Sequence, residues 1–295
     1  MNNVQSEFAN DKRDFIKSPL NYTGGKFKLL PNIFELAPDE IGTFYDIFGG
    51  GFNVGINAVA NKIIYNDMNK YLTEMFSYFK STNFKKLNKE IKGVIKKYKL
   101  SLTNTDGYNL LRKDYNSNPS PLYLFILTCY SFNHQIRFNS KHEFNTPFGK
   151  ERSSYNDSIE NNLKKFCENL QNKNIELYAL DFSEFLNFEY EKDDFVYCDP
   201  PYLITTGSYN DGKRGFKDWS DIEERKLLNY LDYLNFKGIK FMLSNVFYHK
   251  GLQNDLLIEW SKKYKVYYVD KNYKNSSYHG KNTDKKTVEV IIINY

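Results

Sequence analysis

Thr43-Phe44-Tyr45-Asp46-Ile47-Phe48-Gly49-Gly50-Gly51-Phe52-Asn53-Val54-Gly55-Ile56-Asn57-Ala58-Val59-Ala60-Asn61-Lys62-Ile63-Ile64-Tyr65-Asn66-Asp67 is the stretch whose reading decides the fold. Thr43 to Phe48 is apolar and aromatic enough for a short buried strand. The run stops at three glycines. Phe52 to Ala60 reads as a helix, and Lys62 to Asp67 as a second strand that ends in an acid. Strand, glycine turn, helix and acid-terminated strand form the plan of a nucleotide-binding α/β unit. The glycines allow close approach of backbone to a ligand, and a helix start behind them offers free amides. Asp67 stands about 20 residues on, where such folds place an acid against ribose hydroxyls. Taken alone, the glycine run fits a tight strand–helix turn without a ligand equally well.

Working outward, Ser18-Pro19-Leu20-Asn21-Tyr22-Thr23-Gly24-Gly25-Lys26 is a loop that runs into an amphipathic stretch, Phe27 to Leu36. Lys26 is placed to face a carboxylate or a substrate. Beyond Asp67 the character changes. Lys-rich helical stretches (Phe84 to Lys99, Leu122 to Tyr130) surround a polar and aromatic segment, Ser131 to Tyr155. Strand signals then return at Ile175 to Leu180, Asp194 to Cys198, Gly238 to Leu243, Tyr264 to Val269 and Thr287 to Asn294. The simplest architecture is one α/β sheet domain, residues 1–70 and 175–295, with a helical domain inserted at 71–174.

Asp199-Pro200-Pro201-Tyr202 follows directly on the strand Phe195-Val196-Tyr197-Cys198. Two prolines cannot join a strand ladder, so they fix a rigid loop. That loop lies at the C-terminal edge of the sheet, where open α/β sheets bind ligands. It presents an acid, a carbonyl freed from ladder duty and an aromatic ring. A flipped adenine needs those three things: acceptors for its two amine hydrogens and a face to stack on. A Pro-stiffened turn with no ligand is the plainer alternative for the tetrapeptide by itself.

The chain has 295 residues, 41 Lys and Arg against 36 Asp and Glu, and a formal charge of +5. That excess is compatible with a polyanionic partner without pointing to one. Cys129, Cys167 and Cys198 are scattered, which argues against a disulfide framework or a zinc site. Met1 to Lys17 lacks the apolar core of a signal peptide, and no run approaches the roughly 20 apolar residues of a membrane span. A cytoplasmic protein without membrane contact is the expectation. No phosphate-binding GxxxxGK[ST] loop or HExxH motif is present. His134, His142, His249 and His279 lack ligand spacing and read as surface or hairpin residues. Cys198 reads as packed under the loop and not as a nucleophile.

Together these segments resemble the Dam-like class of DNA adenine-N6 methyltransferases, in the family's order from Ser18 to the C-terminus. The resemblance implies a Rossmann-like S-adenosylmethionine-dependent methyltransferase sheet with an inserted helical DNA-recognition domain carrying a β-hairpin, residues 131–149. It implies no metal. Tyr22, Gly24 and Lys26 match the N-terminal cofactor motif. Asp46, Phe48, Gly49 and Gly51 match the FxGxG motif, with Ile47 where a proline is usual. Asp67 matches the ribose-binding acid, and Asp181 and Phe182 the segment beside the cofactor adenine. Asp199, Pro200 and Tyr202 match the catalytic tetrapeptide, with Asp199 also facing the cofactor.

Phe132 to Gly149 looks like the family's DNA-reading hairpin. Its apolar and polar residues alternate about an Asn/Ser/Lys turn, and it carries side chains able to pair with base edges. The implied double-stranded DNA contacts are Asn21, Asn133, Gln135, Arg137, Asn139, Asn145 and Pro147. Arg137 and Pro147 match the GATC-reading members. Asn21 and Gln135 depart from them, so GATC and other short adenine-containing sites both stay open. The resemblance is compatible with a monomer on DNA and with a cognate restriction endonuclease acting separately. A methyltransferase acting on RNA or protein amides, and a non-catalytic DNA-binding module, are the competing readings.

Overall fold

Period-two alternation along the strands explains how one sheet serves two hydrophobic layers. In β1 (Thr43–Asp46), Phe44 belongs to one core and Tyr45 to the other. In β4 (Phe195–Cys198), Phe195 and Tyr197 face the first core while Val196 and Cys198 face the second. The computed structural model describes residues 14–22, 24–205, 219–269 and 287–295. Thr23 of the N-terminal loop lies outside them.

The remaining strands are β2 (Lys62–Asn66), β3 (Ile175–Tyr178), β5 (Lys240–His249), β6 (Leu252–Gln253), β7 (Lys265–Tyr268) and β8 (Thr287–Ile293). The main order is β3-β2-β1-β4-β5-β8-β7, and β6 pairs with β5. Pairings from β3 to β5 are parallel, and β8 and β7 add antiparallel. Strands β1, β2 and β4 thus end side by side at one edge. β5 runs six residues past the expected Leu243, because its pairing with β8 continues to His249 and Thr287.

Short α1 (Leu30–Leu36) precedes β1. Between β2 and β3 come α2 (Lys70–Ser81), α3 (Phe84–Lys97), α4 (Thr105–Ser117), α5 (Pro121–Tyr130) and α6 (Asp157–Asn172). α5 is buried from Leu124 through Tyr130, as its unbroken apolar sequence demands. These helices share one continuous core with a face of the sheet: Phe76, Phe79, Phe125 and Phe166 belong to the same cluster as Phe44 and Tyr65. α7 (Asp221–Phe236) and α8 (Asp255–Ser261) cover the opposite face. Among the described residues no helix is long and apolar enough to cross a membrane.

One expectation fails and another is met in outline only. The helix over Phe52 to Ala60 is replaced by turns and a single 3-10 turn, Gly55–Asn57. Phe52 takes a left-handed φ of 59° so that its ring can reach the core, against Tyr65 and Phe76. The Gly55 amide is used by the Asp46 carboxylate at 2.8 Å, so no helix start offers free amides here. The hairpin at 131–149 is not a regular ladder either. It has two isolated pairings, Ser131 with Phe148 and Phe138 with Phe144, because side chains take over backbone bonds. Thr146 Oγ1 and Ser131 Oγ both donate to the Gln135 carbonyl, and Asn116 binds both the N–H and the carbonyl of Phe144.

One buried side chain ties three strand ends together. Asn66 Nδ2 donates to the carbonyls of Ile47 (2.9 Å) and Leu180 (3.1 Å), and its Oδ1 accepts from the Leu180 amide (2.9 Å). Asn66→Ala leaves these buried groups unpaired. It is expected to lower unfolding free energy by about 3 kcal/mol, read by urea denaturation. A change below about 0.5 kcal/mol would show that the edge is held elsewhere.

Candidate active site

The registers of the parallel strands set the site. Asp46 lies level with Tyr65 on β2 and Tyr197 on β4. Asp67 and Asp199 each follow two residues later, one pleat beyond their strand ends. All three acids line one cleft of about 380 Å³. Tyr22, Gly24, Lys26, Phe48, Gly49, Gly51, Asp181, Phe182 and Pro200, all expected from the sequence, line it too.

Lys26 is the cation set against this acidity. Its ammonium lies 3.0 Å from Asp199 Oδ2, with only 6% of the side chain exposed. It also donates to the Gly24 carbonyl at 3.0 Å and sits 5.1 Å from the centre of the Tyr202 ring. The Tyr202 hydroxyl donates to Asp199 Oδ1 at 2.9 Å. Each oxygen of Asp199 therefore carries one partner. Burial pushes the Asp199 carboxyl above its ordinary range, and the Lys26 cation and the Tyr202 hydroxyl pull against that rise. Tyr202 itself is 6% exposed.

Among the described residues no cation is paired with Asp46. Burial raises its pKa to about 7; the Gly55 amide opposes the rise, and the charges of Asp199 and Asp67 add to it. Asp67 organises the glycine turn, accepting from the amides of Gly50 (2.9 Å) and Asn69 (2.8 Å). Gly50 has φ +48°, and a Cβ there would meet the Tyr22 ring at 2.9 Å. At Gly49 the obstacle is the Tyr65 ring. The turn needs glycine because two tyrosines pack against it.

The cleft also has an aromatic wall, of which the sequence reading included Phe48 and Phe182 but not Trp219. Phe48, Phe182 and Trp219 form a triangle of rings with centroids 5.5–5.7 Å apart. Trp219 is oriented by a 2.7 Å bond from its indole N–H to Glu224 Oε2, and Asn245 and Asn254 donate to the other oxygen of that buried acid. Only the rarity of tryptophan marked position 219, since nothing local to it signals a cleft. Asp181 starts the 3-10 turn Phe182–Asn187 by accepting from the Ser183 amide. Cys198 is fully buried under the loop, and burial pushes its thiol far from reactivity. Among the described residues no group of acids, cysteines and histidines could hold a metal.

The residues expected to meet DNA gather around the hairpin. Asn21 Nδ2 donates to the Asn133 carbonyl at 3.1 Å, which joins the N-terminal loop to it. Asn139 closes the tip, accepting from the amides of Lys141 and Glu143. The Asn145 amide donates to the Arg137 carbonyl (2.9 Å), and the Phe132 amide to that of Pro147 (2.8 Å). Gln135 is half-buried and Pro147 exposed. Arg152 lies over the exposed Phe132 ring.

The family model described as D12 class N6 adenine-specific DNA methyltransferase matches residues 22–275. The chain is 50% identical to type II methyltransferase M.FokI of Planomicrobium okeanokoites over 95% of its own length and 43% of that protein. It is 50% identical to modification methylase StsI of Streptococcus sanguinis, over 100% of the chain and 45% of the relative. Modification methylase LlaI of Lactococcus lactis subsp. lactis is 40% identical, over 83% and 39%. The chain thus spans less than half the length of these relatives.

The raised pKa of Asp46 has a thermodynamic consequence. Between about pH 4 and 7 the folded chain holds a proton on Asp46 that the unfolded chain has released. This stabilisation is complete below the unfolded value and is lost as pH rises through about 7. Asp46→Asn mimics the protonated acid and keeps an acceptor for Gly55. Urea denaturation at pH 5 and pH 8 is expected to show the variant gaining on the wild type at the higher pH, by up to about 1.4 kcal/mol per pH unit across the window. An equal difference at both values would refute the linkage.

Proposed function

Because the chain belongs to the D12 class of N6 adenine-specific DNA methyltransferases, we propose that it methylates the N6 amine of an adenine in a short duplex sequence, GATC or a related site. S-adenosylmethionine is the methyl donor in this reading, and the adenine flips out of the helix to reach Asp199-Pro200-Pro201-Tyr202. The observation that carries the proposal is the Lys26–Asp199–Tyr202 cluster at the mouth of an acid-lined cleft.

The cleft suits that donor chemically. Asp46, Asp67 and Asp181 give it negative potential, and the donor's sulfonium and ammonium are positive. Burial is the main cause of the raised pKa of Asp46, and the charges of Asp199 and Asp67 add to it, so a cationic ligand beside these acids would favour its ionised form. Asp67, which accepts from the Gly50 and Asn69 amides at the cleft, is the acid placed to meet ribose hydroxyls. Phe48 and Phe182, joined by Trp219, offer ring faces to an adenine. Tyr22, Gly24, Gly49 and Gly51 supply the close backbone.

The adenine amine is a weak nucleophile, because its lone pair is delocalised into the ring. In the proposed mechanism Asp199 and the Pro200 carbonyl accept its two hydrogens, which concentrates electron density on nitrogen. Lys26 and Tyr202 take one position each on Asp199, and a carboxylate has about four. An oxygen lone pair therefore remains for the amine. Lys26 opposes the rise that burial imposes on the Asp199 pKa, and Tyr202 lies where its ring can meet the base. The bound cofactor supplies an already activated methyl group. Positioning and electrostatics then do the catalytic work.

The hairpin residues Asn133, Gln135, Arg137, Asn139, Asn145 and Pro147, with Asn21, make the DNA contacts. Two relatives are named modification methylases. By that likeness the chain serves as the modification half of a restriction–modification system, acting as a monomer on duplex DNA.

The direct test is incubation with labelled S-adenosylmethionine and duplex DNA, followed by identification of the methylated base. Label in N6-methyladenine is expected, and label only in RNA or protein would overturn the assignment. Asp199→Ala is expected to lower the rate by about 100-fold or more, with cofactor affinity largely kept. Lys26→Met removes the cation that holds the Asp199 pKa down. The acid limb of its pH–rate profile is expected to move to higher pH, so that raising the pH restores part of the lost activity. An unmoved limb would assign Lys26 another role.

A further inference from the structure

Glu224 is a fully buried acid on α7, and no cation is paired with it among the described residues. Burial pushes its carboxyl up, and bonds from Trp219, Asn254 and Asn245 oppose the rise. Such a group is costly to bury, so its partners indicate what it is for. Asn245 Nδ2 (3.2 Å) and Asn254 Nδ2 (3.1 Å) both donate to Oε1, while the Trp219 indole N–H donates to Oε2 at 2.7 Å. Neither asparagine can turn its amide over without loss. Asn245 Oδ1 accepts from the Val246 amide, and Asn254 Oδ1 from the Leu257 amide at the start of α8. Strand β5 and helix α8 thus hold one oxygen of Glu224 and leave the other aimed at Trp219. That ring is half-buried, lines the cleft and packs against Phe48 and Phe182.

We propose that Glu224 is a positioning residue: through the indole N–H it holds Trp219 as the ring face against which the purine of S-adenosylmethionine packs. This rests on the reading of the cleft as the site of that cofactor. Phe48 and Phe182 have centroids 5.5 Å apart, too close to admit a purine between them, so a ring bound here covers their cleft-facing side. Trp219 touches both and extends that side. An indole without its bond would be free to turn and close over the space. The bond to Glu224 removes this freedom before the ligand arrives, and such preorganisation raises affinity.

The test uses the full chain and S-adenosylhomocysteine, the demethylated form of the donor. The chain has two tryptophans, and Trp260 packs on Phe241 and Tyr264 outside the cleft. In a Trp260→Phe background, tryptophan emission therefore reports Trp219 alone. The ligand is expected to change that emission with the midpoint that calorimetry gives. Glu224→Gln is the selective variant: its oxygen can take both asparagine amides, and its NH2 then meets the indole N–H donor to donor. Affinity is expected to fall about tenfold in Glu224→Gln and as far in Trp219→Ala, which leaves the buried acid in place. In Trp219→Ala the further change Glu224→Gln is expected to add nothing, because Glu224 acts through the ring. A further tenfold loss there would make Glu224 a general support of the fold and overturn the proposal. Unchanged affinity in Trp219→Ala would overturn it too, as would binding that leaves Trp219 emission unmoved. Emission that responds to duplex DNA and not to S-adenosylhomocysteine would give the ring to the target base, with the same result. If calorimetry finds no binding by the wild type, the proposed function itself fails and this inference falls with it.

Discussion

Asp46, Asp67 and Asp199 converge at the ends of three adjacent parallel strands, where like charges repel and water is scarce. Parallel pairing with in-step registers makes that convergence unavoidable once each strand is followed by an acid. The other features around the cleft act to make it tolerable. Lys26 faces Asp199, Gly55 and Gly50 give amides to Asp46 and Asp67, and Asp46 holds a proton at neutral pH or gives it up. Asn66 ties the end of β2 to the ends of β1 and β3, which fixes Asp67 beside Asp46. A site of this kind is electrostatically tense.

The strands and the acids that end them were legible because both are local. Dense apolar runs mark β1, β2 and β4, and a following acid or proline marks where each stops. The glycine turn was also legible, but the helix behind it was not. A nine-residue run with apolar content satisfies helix and turn alike; Phe52 settled the matter through its distant contacts with Phe76 and Phe166. The Lys26–Asp199 pair joins residues far apart in the chain, and no local pattern encodes it. Trp219 is similar: its place in the cleft depends on Glu224, Asn245 and Asn254, three residues that only the fold brings together.

The hairpin shows how an irregular segment is made rigid without a ladder. Aromatic contacts pin it at several points: Phe138 stacks on Tyr71 of α2 at 4.4 Å, Phe144 meets Tyr115 of α4, and Phe148 stacks on Tyr108 of the same helix. The Tyr108 hydroxyl also binds the Thr146 carbonyl at 2.8 Å. Polar side chains at the exposed positions are thus carried on buried rings at the alternate ones. That division is what strand alternation provides, even where regular strand bonding is absent.

The pairing of β2 with β3 has a kinetic side. Ile63 lies beside Ile175, so the sheet can gain its outer parallel strand only by closing a chain segment of about 110 residues. Contacts of such long sequence separation are slow to form when the intervening chain is loose. α2 to α6 fill that interval, and Phe76, Phe79 and Phe125 join their core to the sheet. The packing of these helices therefore sets how much loose chain lies between the two strands as well as how firmly the edge is held.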